Sequence, residues 1–247
     1  MAATSSKVRP PDVRILRNQD AATEILLGEL RQRADRPDRP LISFATGGTF
    51  TAMLQALHAE AQAGRIALDR LQATHLDEYE GLAPEQRGSM VHELGTACPS
   101  LLQMLAQGNF LPVPNRVDPS VLRAHEQQLR RLGGVDLQFL GIGRNGHLAF
   151  HEPGVPWDLG YHVAELSATT RDDARARFHP APVPLRAITA GIATILAGRR
   201  LVLCAFGKAK AQAVRAMLEG EPGPACPASA LRAHGNVLVL LDPDAER

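Results

Sequence analysis

The chain has 247 residues, enough to bury a substantial core, and its low aromatic content (4%) suits a helix-rich α/β protein better than an all-β sandwich. A formal net charge of +1 counts against a dedicated nucleic-acid binder, which would carry a basic excess. Cys98, Cys204 and Cys226 show neither metal-ligand spacing nor a disulfide framework, and no apolar run could cross a bilayer or form a signal peptide, so a cytoplasmic protein with reduced thiols and no membrane partner is expected.

In chain order, residues 1–11 are expected to form a disordered tail and residues 12–247 a single α/β domain. Residues 13–16 read as a strand, followed by a helix from an Asp20 cap through Leu30. A strand at 41–45 leads through Thr46-Gly47-Gly48-Thr49 into a helix carrying Met53, Leu54 and Leu57. The next strand, 71–76, runs into Asp77-Glu78-Tyr79. A helix capped by Asp118 carries Val121, Leu122, His125 and Leu129 and stops at Gly133-Gly134. Residues 135–140 are almost continuously apolar, as in a strand buried on both faces. A strand at 162–166, a helix at 185–196, a strand at 201–206, a helix at 208–218 and a strand at 237–241 complete the pattern, with Pro-rich loops at 180–184 and 222–227. Such alternation predicts βαβ units in a doubly wound, mostly parallel sheet with helices on both faces, a Rossmann-like three-layer sandwich.

Ligands in such sheets gather at the carboxyl ends of the strands, which directs attention to three segments. Thr46-Gly47-Gly48-Thr49 opens a helix; its glycines permit close backbone approach, and the free N–H groups of the helix N-terminus suit a phosphate as well as a plain tight turn. Neither the lysine of a Walker loop nor the spacing of a dinucleotide fingerprint is there. At Asp77-Glu78, adjacent carboxylates point in different directions, so they do not form a paired acid–base couple. One can face a pocket as a proton-abstracting base while the other is held by structure; a solvated acidic turn is the alternative. The stretch from Gly141 to Glu152 gathers Asn145, His147, His151 and Glu152, and a histidine near a carboxylate can accept and donate a proton near pH 7. His147 and His151 are four apart, but Gly146 and Pro153-Gly154 leave little room for a metal-binding helix, and no metal is expected. Arg171, Arg175, Arg177, Lys208 and Lys210 are the remaining candidates for holding an anion, since a lysine at a helix N-terminus is unfavourable without one.

Together these stretches resemble the glucosamine-6-phosphate deaminase family. The likeness rests on Ala45-Thr46-Gly47-Gly48-Thr49, Leu76-Asp77-Glu78-Tyr79-Glu80-Gly81-Leu82 and the run from Gly141 to Pro153, and continues through Leu196, Lys210-Ala211 and Pro227-Ala228-Ser229-Ala230-Leu231. The resemblance implies a deaminating aldose–ketose isomerase that converts glucosamine 6-phosphate and water to fructose 6-phosphate and ammonium, with no metal or organic cofactor. It implies that Asp77 moves a proton between C2 and C1, and that His147 handles ring opening with Glu152 as its partner and Asn145 beside it. Thr46, Gly47, Gly48, Thr49, Lys210 and one arginine, Arg177, would hold the phosphate. Many relatives have Asp where this chain has Asn145; an amide cannot exchange a proton at neutral pH, so acid–base work falls to His147 and Glu152. His151 stands in place of a usual Asn, and Phe50 in place of a usual Pro.

The segment Arg87-Gly88-Ser89-Met90-Val91-His92 is a little closer to galactosamine-6-phosphate deaminases, which makes galactosamine 6-phosphate the alternative substrate. A 6-phosphogluconolactonase-like hydrolase would have no need of Asp77, and a sugar-phosphate-sensing regulator would need a DNA-binding module. The expected partner is an amino-sugar phosphate, and both a monomer and a homo-oligomer are compatible with the chain. Its short end after the last strand carries the further expectation that the allosteric activation of hexameric relatives is lacking.

Overall fold

The computed structural model describes residues 10–247, so the expected tail lies outside the described residues except for Pro10 and Pro11. The first half runs β1 (Asp12–Ile15), α1 (Gln19–Ala34), β2 (Leu41–Phe44), α2 (Gly48–Gln62), β3 (Gln72–His75), β4 (Asp77–Tyr79), α3 (Met90–Ala97), α4 (Pro99–Ala106), β5 (Phe110–Leu111) and α5 (Pro119–Arg131). The second runs β6 (Val135–Leu140), β7 (His162–Glu165), α6 (Ala168–Phe178), β8 (Arg186–Thr189), α7 (Ile192–Leu196), β9 (Arg200–Ala205), α8 (Ala211–Glu219), β10 (Val237–Leu241) and α9 (Pro243–Glu246).

Seven strands form one parallel sheet in the order β1-β10-β9-β6-β2-β3-β5. From β2 the sheet grows through β3 and β5 in one direction and through β6, β9, β10 and β1 in the other. The β2–β6 boundary is therefore the point where the winding reverses, and a crevice opens there at the carboxyl ends. Every residue of β2, β6 and β10 is buried, so helices cover the sheet on both faces, which is the expected architecture. Phe139 of β6 packs against Phe44 at the end of β2 and Phe50 in the first turn of α2, with ring centroids 5.9 and 6.2 Å apart. This cluster anchors the start of α2 beside the crevice. No helix of the described residues is long and apolar enough to cross a membrane.

Several elements depart from expectation. The strands β4, β8 and β7 form a separate antiparallel sheet, with β8 in the middle. Residues 185–196, read as one helix, divide into β8 and α7 around Gly191. A short apolar run fits either periodicity, and pairing of Ala187–Thr189 with strands on both sides decides it. Helices α3, α4, α6 and α9 are additional to those expected. The buried residues of α6 are only Thr170, Ala174 and Phe178, too sparse a stripe to stand out in a charged segment. The first helix is capped by Asn18, whose side chain accepts from Ala21 N at 3.1 Å, rather than by Asp20. Asp118 caps α5 as expected, accepting from Ser120 N at 2.7 Å.

Candidate active site

Four neighbouring strands of the large sheet, β3, β2, β6 and β9, deliver their following segments to one cavity of about 450 Å³. Thr46–Thr49, Asp77, His147, Arg177 and Lys210 all line it. Asn145 and Glu152 do not; they stand behind His147 and border a second cavity with His162, Glu165 and Ser167.

The loop after β2 is shaped to receive an anion. Gly47 has φ +90°, a conformation that strains any side chain, while a Cβ at either Gly47 or Gly48 would meet nothing within 4 Å. The space above both glycines belongs to the cavity. Among the described residues no side chain caps α2, so its first-turn N–H groups remain available to a ligand. Lys210 immediately precedes α8, after a 3-10 turn over Lys208–Lys210; burial pulls its ammonium pKa down while nearby Asp173 opposes that shift. Among the arginines considered from the sequence, Arg177 lines this cavity, whereas Arg171 and Arg175 line another on the far side of α6. Arg175 pairs with Asp172 at 2.9 Å and Lys208 is exposed. Arg144, not singled out from the sequence, also lines the cavity and bonds to Asp173. Its signal was its place inside the glycine-rich segment, directly beside Asn145.

The two adjacent carboxylates part company. The Glu78 side chain accepts from Met90 N (3.0 Å), Val91 N (3.3 Å) and the Ser89 hydroxyl (2.9 Å), tying β4 to the N-terminus of α3. Asp77 faces the cavity, and among the described residues its carboxylate accepts no side-chain or backbone hydrogen bond. Burial, reinforced by the charge of Glu78 and only partly opposed by Arg177, pushes its pKa up to about 7. A carboxylate so poised is ionised about half the time at neutral pH and is basic enough to take a proton from carbon.

His147 is placed by backbone contact: a Cβ on Gly143 would lie 2.3–2.5 Å from three atoms of its ring, so glycine alone leaves room for the imidazole. Its Nδ1 lies 3.8 Å from Glu152 Oε2, beyond direct hydrogen bonding. Thr170 fills the gap, with Oγ1 2.5 Å from Glu152 Oε1 and 3.3 Å from His147 Nδ1. Glu152 also accepts from Ser167 N (3.1 Å) and Asn145 Nδ2 (2.8 Å). Burial works against its ionisation, but these bonds and nearby His147 outweigh it and hold the carboxyl below the ordinary range. Burial likewise lowers the His147 pKa, against the pull of Glu152, so the ring is neutral at pH 7. Thr170 carries no motif signal; only folding α6 across the mouth brings it to Glu152. His151 is buried outside the cavity, edge-on to His162 at 5.1 Å. Among the described residues no three His, Cys, Asp or Glu side chains converge in a way that could hold a metal ion.

The cavity thus brings together a helix start open enough to receive an anion and two separate titratable groups able to exchange protons, one a carboxylate and the other a neutral imidazole. The model of a protein family described as glucosamine-6-phosphate isomerases/6-phosphogluconolactonase matches residues 17–239. A glucosamine-6-phosphate deaminase of Bacillus velezensis is 37% identical over 227 residues, covering 90% of this chain and 92% of its own. Among solved structures, a monomeric glucosamine-6-phosphate deaminase superposes with a TM-score of 0.85 at 32% identity, over 95% of this chain and 98% of that one. The 6-phosphogluconolactonase of Leishmania guyanensis, at 23% identity and a TM-score of 0.72 over 95% of this chain and 97% of its own, shares the fold.

Proposed function

The chain belongs to the glucosamine-6-phosphate isomerase/6-phosphogluconolactonase family, and we propose that within it this protein is a glucosamine-6-phosphate deaminase. The observation that carries this reading is Asp77: a buried carboxylate, without a hydrogen-bond donor among the described residues, in the same cavity as the phosphate cradle and with its pKa near neutrality. Lactone hydrolysis takes no proton from carbon and can proceed with a single base that activates water, whereas the isomerisation needs a carboxylate to move a proton between neighbouring carbons in addition to the group that opens the ring.

The phosphate is held by the N–H groups at the start of α2, by the Thr46 and Thr49 side chains, and by Lys210 and Arg177. The bound pyranose then reaches His147, whose Nε2 takes the O1 proton and returns it to the ring oxygen as the C1–O5 bond breaks. Asp77 removes the C2 proton from the open aldehyde and delivers it to C1, while O1 takes up a proton and the C2 amino nitrogen gives one up, leaving an imine at C2 and a hydroxyl at C1. Water adds at C2 and the C–N bond breaks, releasing ammonia, which leaves as ammonium. His147 carries the proton transfer at the ring oxygen and Asp77 the one between the carbons, and no step as proposed calls for a cofactor. Glu152 and Asn145 act from behind His147 without touching the sugar. Three buried free cysteines are consistent with a reducing, cytoplasmic setting.

Incubating the protein with glucosamine 6-phosphate and, separately, galactosamine 6-phosphate while assaying ammonium tests the reading. Release from the first and not the second is expected; no ammonium from either overturns it, and release from the second alone reassigns the substrate.

A further inference from the structure

We propose that Thr170 is a positioning residue for ring opening: its hydroxyl joins His147 to Glu152 and fixes the imidazole in the form that carries its proton on Nδ1. The proposal rests on the reading of His147 as the ring-opening base.

A threonine hydroxyl has one proton to donate and two lone pairs that accept. Thr170 Oγ1 has three neighbours: Glu152 Oε1 at 2.5 Å, Ser167 Oγ at 3.0 Å and His147 Nδ1 at 3.3 Å. Glu152 is an ionised carboxylate and can only accept, so it takes the single Thr170 proton. Ser167 already accepts from Thr170 N at 3.2 Å and turns its own proton toward Thr170 Oγ1. The remaining lone pair of Thr170 can then accept only from an N–H, so His147 Nδ1 bears the proton and Nε2 the lone pair.

Nε2 has no hydrogen-bond partner among the described residues, and the ring lines the substrate cavity. The form imposed by Thr170 is thus the one that can receive the O1 proton. Without the hydroxyl nothing selects it, because Glu152 lies too far from Nδ1 to do so directly and borders the other cavity. Orienting partners of this kind act through the group they hold rather than on the substrate.

The test compares the wild-type protein, Thr170→Val and Thr170→Ser. Ring ¹⁵N chemical shifts of labelled histidine, with His147 assigned through His147→Gln, report which nitrogen carries the proton and need no turnover. Nδ1–H is expected in the wild-type protein. Thr170→Val retains the backbone bond to Ser167 that caps α6 and should shift His147 toward Nε2–H. It should also lower kcat by about 10–100-fold with KM unchanged. Thr170→Ser should restore both. A wild-type His147 protonated on Nε2, or a Thr170→Val protein with wild-type kcat and an unshifted imidazole, would overturn the proposal. Absence of ammonium release with Nδ1–H present would instead overturn the assigned reaction while leaving the hydrogen-bond arrangement intact.

Discussion

Ionised Asp77 sits where burial and Glu78 both oppose its charge, so the residue proposed to serve the reaction weakens the fold. Its folded pKa is raised to about 7 from an unfolded value near 3.8. Above pH 7 the native state bears the full cost of the charge; below about pH 4 both states are protonated and the cost vanishes. Asp77→Asn should therefore lower turnover at least about a hundredfold. It should also raise Tm at pH 8, with the difference from wild type shrinking as the pH falls toward 4. A lower Tm at pH 8 would show that the carboxylate is structural. Gly143 makes a complementary case, because the obstacle to a side chain there is the His147 ring itself. Gly143→Ala should displace the imidazole by a fraction of an ångström or more and reduce kcat/KM about a hundredfold. Measured binding of inorganic phosphate should stay unchanged, since the cradle at Gly47–Thr49 lies elsewhere. At this scale the sequence is legible where a motif places a residue directly on a strand end, as for Asp77 and His147. It is silent on which of Asp77 and Glu78 is free, because that depends on the N-terminus of α3 arriving from a dozen residues later. Thr170 is invisible for the same reason.

Elements were readable in proportion to how far their neighbours left them alone. The strands β6 and β10 fall on the expected residues, since an apolar run of that length between helix signals has few other places to go. The divided segment 186–196 was not readable, because the pairing that makes β8 a strand comes from β4 and β7, both distant in sequence. An irregularity in β6 gives a further structural role that only the fold reveals. The register against β2 slips between Leu41 and Ile42, which pair with Val135 and Leu137 and leave Asp136 unpaired as a bulge. Its buried carboxylate accepts from Arg33 Nε and Arg36 Nη1, each at 2.8 Å, and lies 3.4 Å from Arg199. Asp136 sits in the first half of β6, whose carboxyl end leads into the active-site segment. Asp136→Ala leaves Arg33 largely buried without this partner and should cost about 2–3 kcal/mol of unfolding free energy, below the full penalty for a buried pair because Arg36 and Arg199 reach solvent. Denaturant titration measures the loss. Because the site lies at the other end of the strand, kcat of the folded enzyme should be unchanged; a fall in kcat would show that the bulge sets the position of His147.

At the scale of the whole molecule, the alternation of strands and helices foretold the large parallel sheet, but not how completely its polar residues would be enclosed. That enclosure determines the response to acid. Burial depresses the pKa values of His75 (to about 3), His125 (to about 4) and His151 (to about 4), and also lowers those of His147 and His162. His75 cannot readily accept a proton in any case, since its Nε2 receives the Val113 N–H at 2.8 Å. An unfolded histidine titrates near pH 6.5, so between there and about pH 4 the unfolded chain binds protons that the native protein refuses. Each such histidine removes stability at a rate of up to about 1.4 kcal/mol per pH unit. Asp77 and Glu78 act in the opposite sense, because their raised values let the native protein bind protons before the unfolded chain does. Five histidines lowered against two carboxyls raised leaves the balance with the histidines, and stability falls as the pH drops. Calorimetric Tm should therefore hold steady from pH 8 to 7 and decline from pH 6.5 to 4, with a shallower decline in His125→Phe. A Tm that rose or stayed level across that interval would mean that these rings are hydrated and free to titrate, and that the core around them is more open than its burial indicates.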